Sequence, residues 1–203
     1  MSYNITIQGG TSKRLPTAGK YCEQDIIITA EGGGTDVDDA KSIVERTIIT
    51  YSNKEVKTVG MRAFSHCSVL VSVDLPEVTT IGQHGFNSCY KLERVTFPKL
   101  TTMIPGDNFT YCSALKYADL GLVSNLPSWS LANTPLETVI LRKADSICIL
   151  QTTNALSGTP IAKGTGYIYV PKALVDSYKS ATNWTTYANQ FRAIEDYPEI
   201  TGG

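Results

Sequence analysis

The chain's 203 residues carry 18 Lys and Arg against 19 Asp and Glu, a formal net charge of −1, which excludes the basic footprint that nucleic acid or an anionic membrane surface requires. Charged residues make up only 18%, against roughly 25% in ordinary soluble domains, so Thr, Ser, Asn and Tyr supply much of the polar surface and neutral, hydrogen-bonding partners suit it. No window reaches the 18 or more apolar residues of a spanning helix, so membrane insertion is not expected, and the opening MSYNITIQGG has neither the basic nor the apolar region of a signal peptide.

Residues 1–31 stand apart from the rest of the chain. Asn4-Ile5-Thr6-Ile7 alternates, Gly9-Gly10 turns, Leu15-Pro16 breaks, and the stretch from Tyr21 to Thr29 is β-branched enough to be a strand. A small β module of two or three strands is expected here, too short to bury a core alone, so it docks on a larger body or forms an oligomer. Gly32-Gly33-Gly34 and the aspartates after them read as a linker over 32–40. Asp36, Asp38 and Asp39 do not make a calcium loop, because Lys41 and Thr47 stand where an EF-hand needs Gly and Glu. They fit a helix start from Ala40 to Arg46 instead. Ile48 and Tyr51 lie one period before Leu70 and Val73, so Thr47 to Tyr51 reads as a degenerate first coil.

From Val56 to Leu120 one pattern is written three times. Val56, Val59, Ala63, Phe64, Cys67, Leu70, Val73 and Leu75 form the first copy; Val78, Ile81, Gly85, Phe86, Cys89, Leu92, Val95 and Phe97 the second; Leu100, Met103, Asn108, Phe109, Cys112, Leu115, Ala118 and Leu120 the third. Of these 24 positions all but Gly85 and Asn108 are apolar, where a composition of 42% gives about 10, so the positions mark an inward face. Phe64, Phe86 and Phe109, and with them Cys67, Cys89 and Cys112 and Leu70, Leu92 and Leu115, are expected to stack as a core ladder in successive coils. Leu70-x-x-Val73-x-Leu75 ends in the alternation of a strand that Pro76 stops, and Ala63-Phe64-x-x-Cys67 has the spacing of one helical or 3₁₀ turn.

Residues 121–170 continue less faithfully. Leu122 comes 22 after Leu100, and Leu136, Val139 and Leu141 come 21 after Leu115, Ala118 and Leu120. That frame puts the Phe slot at Ser130 and the Cys slot at Asn133. Ala144, Ile147, Leu156 and Ile161 suggest a fifth coil, and Gly164-Thr165-Gly166 turns into a strand, Tyr167 to Val170, closed by Pro171. Beyond it Leu174, Val175, Tyr178 and Ala181 space out one helical face, and Asn183 is placed to cap a second helix carrying Trp184, Tyr187, Ala188 and Phe191. A helical cap laid across an open solenoid end would cover its apolar surface and ladder edges.

Three of the five cysteines fall on the inward template, which reads as buried thiols, with neither a disulfide framework nor the tetrahedral grouping of a metal site. His66 and His84 fall on outward turn positions with no nucleophile or orienting partner beside them. No phosphate loop, zinc motif or nucleophile elbow occurs. Sequons at Asn4, Asn108 and Asn183 matter only in a glycosylating secretory route. Asp74 and Asp119, two coils apart with Arg94 and Thr96 between them, lack the walled pocket of a paired-carboxylate hydrolase. No enzyme, cofactor or metal is expected.

The functional candidate is a surface. Ser72 and Asp74, Arg94 and Thr96, Tyr117 and Asp119, and Thr138 and Ile140 interleave with the inward strand positions and point out, stacked at about 4.7–4.9 Å per coil. With exposed Tyr90, Tyr111 and Trp129 on the turn side, they mix charge, hydroxyl and ring faces. For any one of them a merely solvated face is the simpler reading. For the strip as a whole, binding is the better one, and Ser72, Asp74, Arg94, Thr96, Tyr117, Asp119, Thr138 and Trp129 are its candidate ligand-binding residues.

The pattern Ala-Phe-x-x-Cys-x-x-Leu-x-x-Val-x-Leu-Pro, from Ala63 to Pro76 and again from Gly85 to Pro98, resembles the BspA-like (Treponema-type) class of bacterial leucine-rich repeats. The segment Gly166 to Pro171, with Leu174 to Tyr178 and Thr182-Asn183-Trp184, is similar to the closing segment of many such proteins from gut-dwelling Firmicutes. Leu15 to Cys22 with Asp25 to Ala30 is similar to N-terminal modules of prophage-encoded structural proteins in the same bacteria. The expected fold is a leucine-rich repeat right-handed β/α solenoid, β-rich with short helical or 3₁₀ turns: a β module over 1–31, a linker over 32–40, about five coils over 41–170 and a helical cap over 171–203. The resemblance implies non-catalytic binding to a protein or glycan on a cell surface. The bearer would be a phage or prophage tail-associated component on a phage particle, or else a bacterial surface or secreted adhesin for host matrix.

Overall fold

A computed structural model describes residues 3–8, 26–31 and 48–202. The expected linker over 32–40 and the helix start from Ala40 to Arg46 lie outside the described residues. Among the described residues, fourteen short strands run in order: β1 (Tyr3–Gln8), β2 (Ile26–Glu31), β3 (Ile48–Ser52), β4 (Thr58–Val59), β5 (Ser72–Asp74), β6 (Thr80–Ile81), β7 (Arg94–Thr96), β8 (Thr102–Met103), β9 (Tyr117–Asp119), β10 (Asn125–Leu126), β11 (Thr138–Ile140), β12 (Ile149–Leu150), β13 (Tyr167–Val170) and β14 (Phe191–Ala193).

Because each copy repeats its extended pieces at one spacing, equivalent strands meet side by side and all pair in parallel. One side of the coil carries β1-β2-β3-β5 and β7-β9-β11-β13-β14, and between β5 and β7 the ladder thins to the Glu93 N–H donating to the Val71 carbonyl at 3.4 Å. A second side carries β4-β6-β8 and β10-β12, bridged by the Ser124 N–H to the Thr101 carbonyl at 3.2 Å. This is a β-rich repeat solenoid, with a single core running inside the stack.

The third run of each coil holds the Phe and Cys positions. There the N–H groups of Arg62, Phe64 and His66 donate to the carbonyls of Gln83, Gly85 and Asn87 in the next coil, and those of His84, Phe86 and Ser88 to Gly106, Asn108 and Thr110. The intervening residues close turns within their own coil, as Ser65 N–H does to Arg62 and Cys67 N–H to Phe64. This alternation needs left-handed backbone two residues before and after each Phe: Arg62 and His66, His84 and Ser88, Asp107 and Tyr111 all have positive φ. The Phe64, Phe86 and Phe109 rings stack at 5.0 and 5.2 Å with interplanar angles of 1° and 4°. The Cys89 thiol donates to the Phe64 carbonyl at 2.9 Å and the Cys112 thiol to the Phe86 carbonyl at 3.0 Å. A thiol thus fits this slot as a small apolar group that also occupies a buried carbonyl's second lone pair.

Several expectations need correction. The fourth coil's Phe slot is Leu131 and its Cys slot Thr134, not Ser130 and Asn133: Phe109 N–H donates to the Ser130 carbonyl as Phe86 N–H does to Asn108. The frame is displaced because Pro105-Gly106 lengthens the third coil by one residue and Leu131 to Leu136 shortens the fourth by one. For the same reason Val123, buried, holds the position assigned to Leu122, which is 42% exposed. Asn108 breaks the apolar template to tie the lengthened loop down. Its Nδ2 donates to the carbonyls of Gly82 at 2.8 Å and Ile104 at 3.0 Å, and the side chain is wholly buried. Ala144 is exposed rather than inward.

Both ends differ from expectation as well. β1 and β2 join the main sheet in parallel, Tyr3 beside Ile26 and, across a register shift in β2, Ile26 beside Ile48 and Ile27 beside Thr50, offsets of 22 to 23 residues that continue the repeat rather than set a separate module against it. At the other end β14 adds a further parallel strand beside β13, Ile168 opposite Phe191, so the chain makes one more circuit instead of only laying helices across the end. The arm of that circuit runs through the helix Val175–Ser180 and a kinked 3₁₀ segment, Trp184–Gln190. Its side chains satisfy the backbone at the edge of β12: the Tyr178 hydroxyl accepts from Cys148 N–H at 2.7 Å, and Trp184 Nε1 donates to the Cys148 carbonyl at 2.7 Å. Asn183 does not cap a helix; its Nδ2 donates across to the carbonyls of Leu150 and Gln151 at 2.8 and 3.0 Å.

Candidate binding surface

Parallel registers place the outward residues of the main sheet in two columns. One runs Thr50, Ser72, then Arg94, Tyr117, Thr138, Tyr167; the other Ser52, Asp74, then Thr96, Asp119, Ile140, Tyr169, Arg192. Neighbours in a column are one inter-strand spacing apart, about 4.8 Å, so small side chains bond across coils. Ser72 Oγ donates to Thr50 Oγ1 at 3.2 Å, and Ser52 Oγ to Asp74 Oδ2 at 3.1 Å. Arg94 lies with its guanidinium carbon 3.5 Å from the centre of the Tyr117 ring, a cation–π pair.

The structure divides the expected set in three. Ser72 is half-buried and Asp74, Arg94 and Thr96 are exposed, which leaves that end of the strip open. Tyr117 and Thr138 are half-buried and Asp119 is buried. Asp119 is held by Arg142, whose Nη2 and Nε approach its Oδ2 at 2.7 and 2.8 Å, while Oδ1 accepts from Gly121 N–H at 3.1 Å. Its acceptors are engaged inside the protein, so it is not offered to a ligand. Trp129, 43% exposed, belongs to another side: it sits on the turn run at φ 64°, in the column of Arg62, His84 and Asp107. Tyr111, 54% exposed and also at φ 64°, shares that side.

Tyr167, Tyr169, Arg192 and Tyr197 join this face without having been among its expected residues. Arg192 lies 4.3 Å from the Tyr167 ring centre, repeating the Arg94–Tyr117 pair, and Tyr169 meets Tyr197 edge-on with centroids 5.6 Å apart. The alternation Tyr167-Ile168-Tyr169 signals two outward rings; the parts played by Arg192 and Tyr197 depend on β14, which the helical spacing conceals. Burial raises the Tyr117 phenol above its ordinary pKa, opposed by Arg94, so its hydroxyl is a proton donor at neutral pH. Burial likewise pushes the Cys89 and Cys112 thiols well up and Cys148 to about 12, so these cysteines are unreactive core groups. Among the described residues no cluster of His, Cys, Asp or Glu is arranged to hold a metal ion.

Stacked parallel coils with a two-column, hydrogen-bonding outward strip define a repeat solenoid. The family model for the BspA type leucine rich repeat region matches residues 43–153 in six copies, more than half of the 203 residues, and the chain belongs to that family. Leucine-rich repeats of this kind are generally non-enzymatic modules for protein binding. A search of curated proteins finds no match to the chain.

Proposed function

We propose that the chain is an adhesion module that holds a protein on the open end of its outward strip, around Ser72, Asp74, Arg94 and Thr96, as the receptor-contact part of a phage or prophage particle. The observation that carries the contact is the exposed polar chemistry there. Asp74, on β5, and Arg94 and Thr96, on β7, are exposed on successive coils, so a partner finds a carboxylate, a guanidinium and a hydroxyl already in place. The particle setting is supported by the opening residues, whose similarity is to prophage structural modules, and by β1 and β2. In this reading those two strands present the outer edge of the sheet to a larger assembly, and residues 171–203 close the far end.

The test is binding of the purified full chain to arrays of matrix proteins and glycans, repeated with Arg94→Ala and Asp74→Ala. Both residues are exposed and away from the core, so their removal, which loses the Arg94–Tyr117 cation–π pair or the Ser52–Asp74 bond, costs no more than about 1 kcal/mol of stability. Loss of at least tenfold in affinity for a protein ligand supports the reading. Unchanged affinity in both variants, or capture of glycans alone, overturns it. Tail and lysis genes beside the coding sequence would support the particle setting, and an export signal encoded upstream would overturn it in favour of a cell-surface adhesin.

A further inference from the structure

The middle of the outward strip is dry. Strand alternation sends Asp119, Ile140 and Tyr169 to the same side as Asp74 and Thr96, yet they are only 2%, 0% and 3% exposed. A residue pointing away from the core is excluded from water only if something lies over the sheet.

Arg142 lies against Asp119, and the chain's own segment from Ile194 to Ile200 lies against Tyr169 and Tyr117 on either side of β11. The segment leaves β14 at the sheet's edge and returns across the strands rather than along them, through a 3₁₀ turn, Ile194–Asp196, and a short helix, Pro198–Thr201. At the end of β13, Glu195 Oε2 accepts from the Lys172 N–H at 2.9 Å and Asp196 pairs with Lys172 Nζ at 2.8 Å. Further along, the Tyr197 ring meets Tyr169 of β13. On β9 the Tyr117 hydroxyl donates to the Ile200 carbonyl at 3.3 Å. The crossing from β14 to β9 spans three inter-strand steps, about 14 Å.

Two features give this face the character of a groove. Its ends are cationic, with Arg94 over Tyr117 at one and Arg192 over Tyr167 at the other, while the segment between them carries Glu195, Asp196 and Glu199. Its floor is apolar and aromatic at Ile140 and Tyr169, and the segment half-buries Tyr197 and Ile200 there. The ion pair to Lys172 is solvent-exposed on both sides, so it anchors the segment only weakly.

We propose that the outward face of β9, β11 and β13 is a binding groove for a short, turn-forming acidic polypeptide segment with an aromatic residue followed three positions later by a branched aliphatic one. Residues 194–200 occupy it in cis, and a partner segment of the same chemistry binds by displacing them. The proposal rests on the protein-binding reading above and names the chemistry of the partner, but its test uses no outside partner and so fails or succeeds separately from the Arg94 and Asp74 substitutions.

The probe is a fluorescein-labelled peptide with the sequence of residues 194–203, titrated by anisotropy against the full-length chain and against the full-length variant Tyr197→Ala with Ile200→Asp. With the groove filled in cis, the unaltered chain binds the peptide weakly; the double variant binds it at least tenfold more tightly. Adding Tyr117→Phe to the double variant, which removes the donor to the peptide backbone, reverses part of that gain. Circular dichroism and a urea midpoint verify that the variant folds, and Ile200→Asp alone provides the same comparison if the double variant does not. Equal affinity of variant and unaltered chain for the peptide overturns the proposal, as does equal binding of a scrambled peptide.

Discussion

Replacing Phe86 measures how far each coil depends on the next. The ring is wholly buried and has stacked neighbours on both sides, Phe64 at 5.0 Å and Phe109 at 5.2 Å, with Phe97 tilted against it at 5.7 Å. Truncating a buried Phe to Ala costs about 3–5 kcal/mol through lost transfer energy and the cavity left behind. Aromatic pairs contribute about 0.5–1.5 kcal/mol beyond burial, so Phe86→Ala belongs at the upper end, about 5 kcal/mol. That is a large share of the roughly 5–15 kcal/mol that holds an ordinary domain together, which makes Phe86→Leu the quantitative variant. The fourth coil already places Leu131 in this column, wholly buried, so a Leu side chain fits, and the expected loss is about 1–2 kcal/mol. The assay is urea unfolding monitored by far-UV circular dichroism and by tryptophan fluorescence, to which buried Trp184 in the last circuit contributes. Because coils are stabilised by their neighbours, both signals should shift together although Trp184 lies far along the chain from Phe86. A loss under about 1 kcal/mol for Phe86→Ala, or a fluorescence midpoint that stays put while the dichroism midpoint moves, would refute a shared core.

Two further outcomes concern the interior. Burial raises the Cys89, Cys112 and Cys148 thiols in the folded chain, whereas unfolded thiols titrate at about 8.5. The folded state therefore holds these protons more tightly, so its stability is intact below about pH 8.5 and falls as pH rises toward the folded values. The slope is about 1.4 kcal/mol per pH unit per thiol, or about 4 for the three. Urea midpoints at pH 7, 9 and 10 should decline accordingly, with Cys148→Ala removing about a third of the slope; a flat profile to pH 10 contradicts the assignment. At the sheet face, Arg142→Ala leaves the buried Asp119 carboxylate without its guanidinium and should cost about 3–5 kcal/mol. Arg142→Lys should recover only part of this, since a lysine does not reproduce the guanidinium's paired donors. A thermal midpoint for Arg142→Ala equal to that of the unaltered chain would show that the pair is dispensable.

The repeat between Val56 and Leu120 is legible because all inward positions except Gly85 and Asn108 recur with an apolar side chain, so period alone reveals the faces. Where the period holds, burial tracks it: the Phe, Cys and Leu columns through Phe109, Cys112 and Leu115 are all at 0% exposure. Legibility fails where the coil length changes by one residue. An insertion at Pro105-Gly106 and a deletion before Leu136 cancel over the whole coil yet displace everything between them, which hides the slots of Leu131 and Thr134. β14 is hidden for a different reason. Phe191 fits a helical spacing from Trp184 and Tyr187, and only pairing with β13 makes it a strand. Alternation places the outward residues on the sheet correctly, but whether water reaches them depends on Arg142 and on the segment from Ile194 to Ile200, whose single Tyr and paired Ile within an acidic stretch have no period to read.

The turn run explains why this array presents so fixed a surface. Arg62, His66, His84, Ser88, Asp107, Tyr111, Trp129 and Asn133 all hold left-handed backbone without being glycine, at a cost of roughly 1–2 kcal/mol each. A lone coil would bear that strain with nothing to offset it. In the stack, the same alternation aligns N–H groups with carbonyls of the next coil, from Arg62 to Gln83 through to Asn133 to Ser157, so strain and inter-coil bonding are two aspects of one conformation. The side chains at these positions then have little backbone freedom left to lose. Tyr111 and Trp129 project from such positions, and Arg94 and Asp74 from strands locked by the same stacking, which keeps the ordering cost of binding low. A partner must match a ladder of about 4.8 Å steps, and a polypeptide segment lying across the strands, as residues 194–200 do through a 3₁₀ turn and a short helix, meets that requirement by sampling several coils at once.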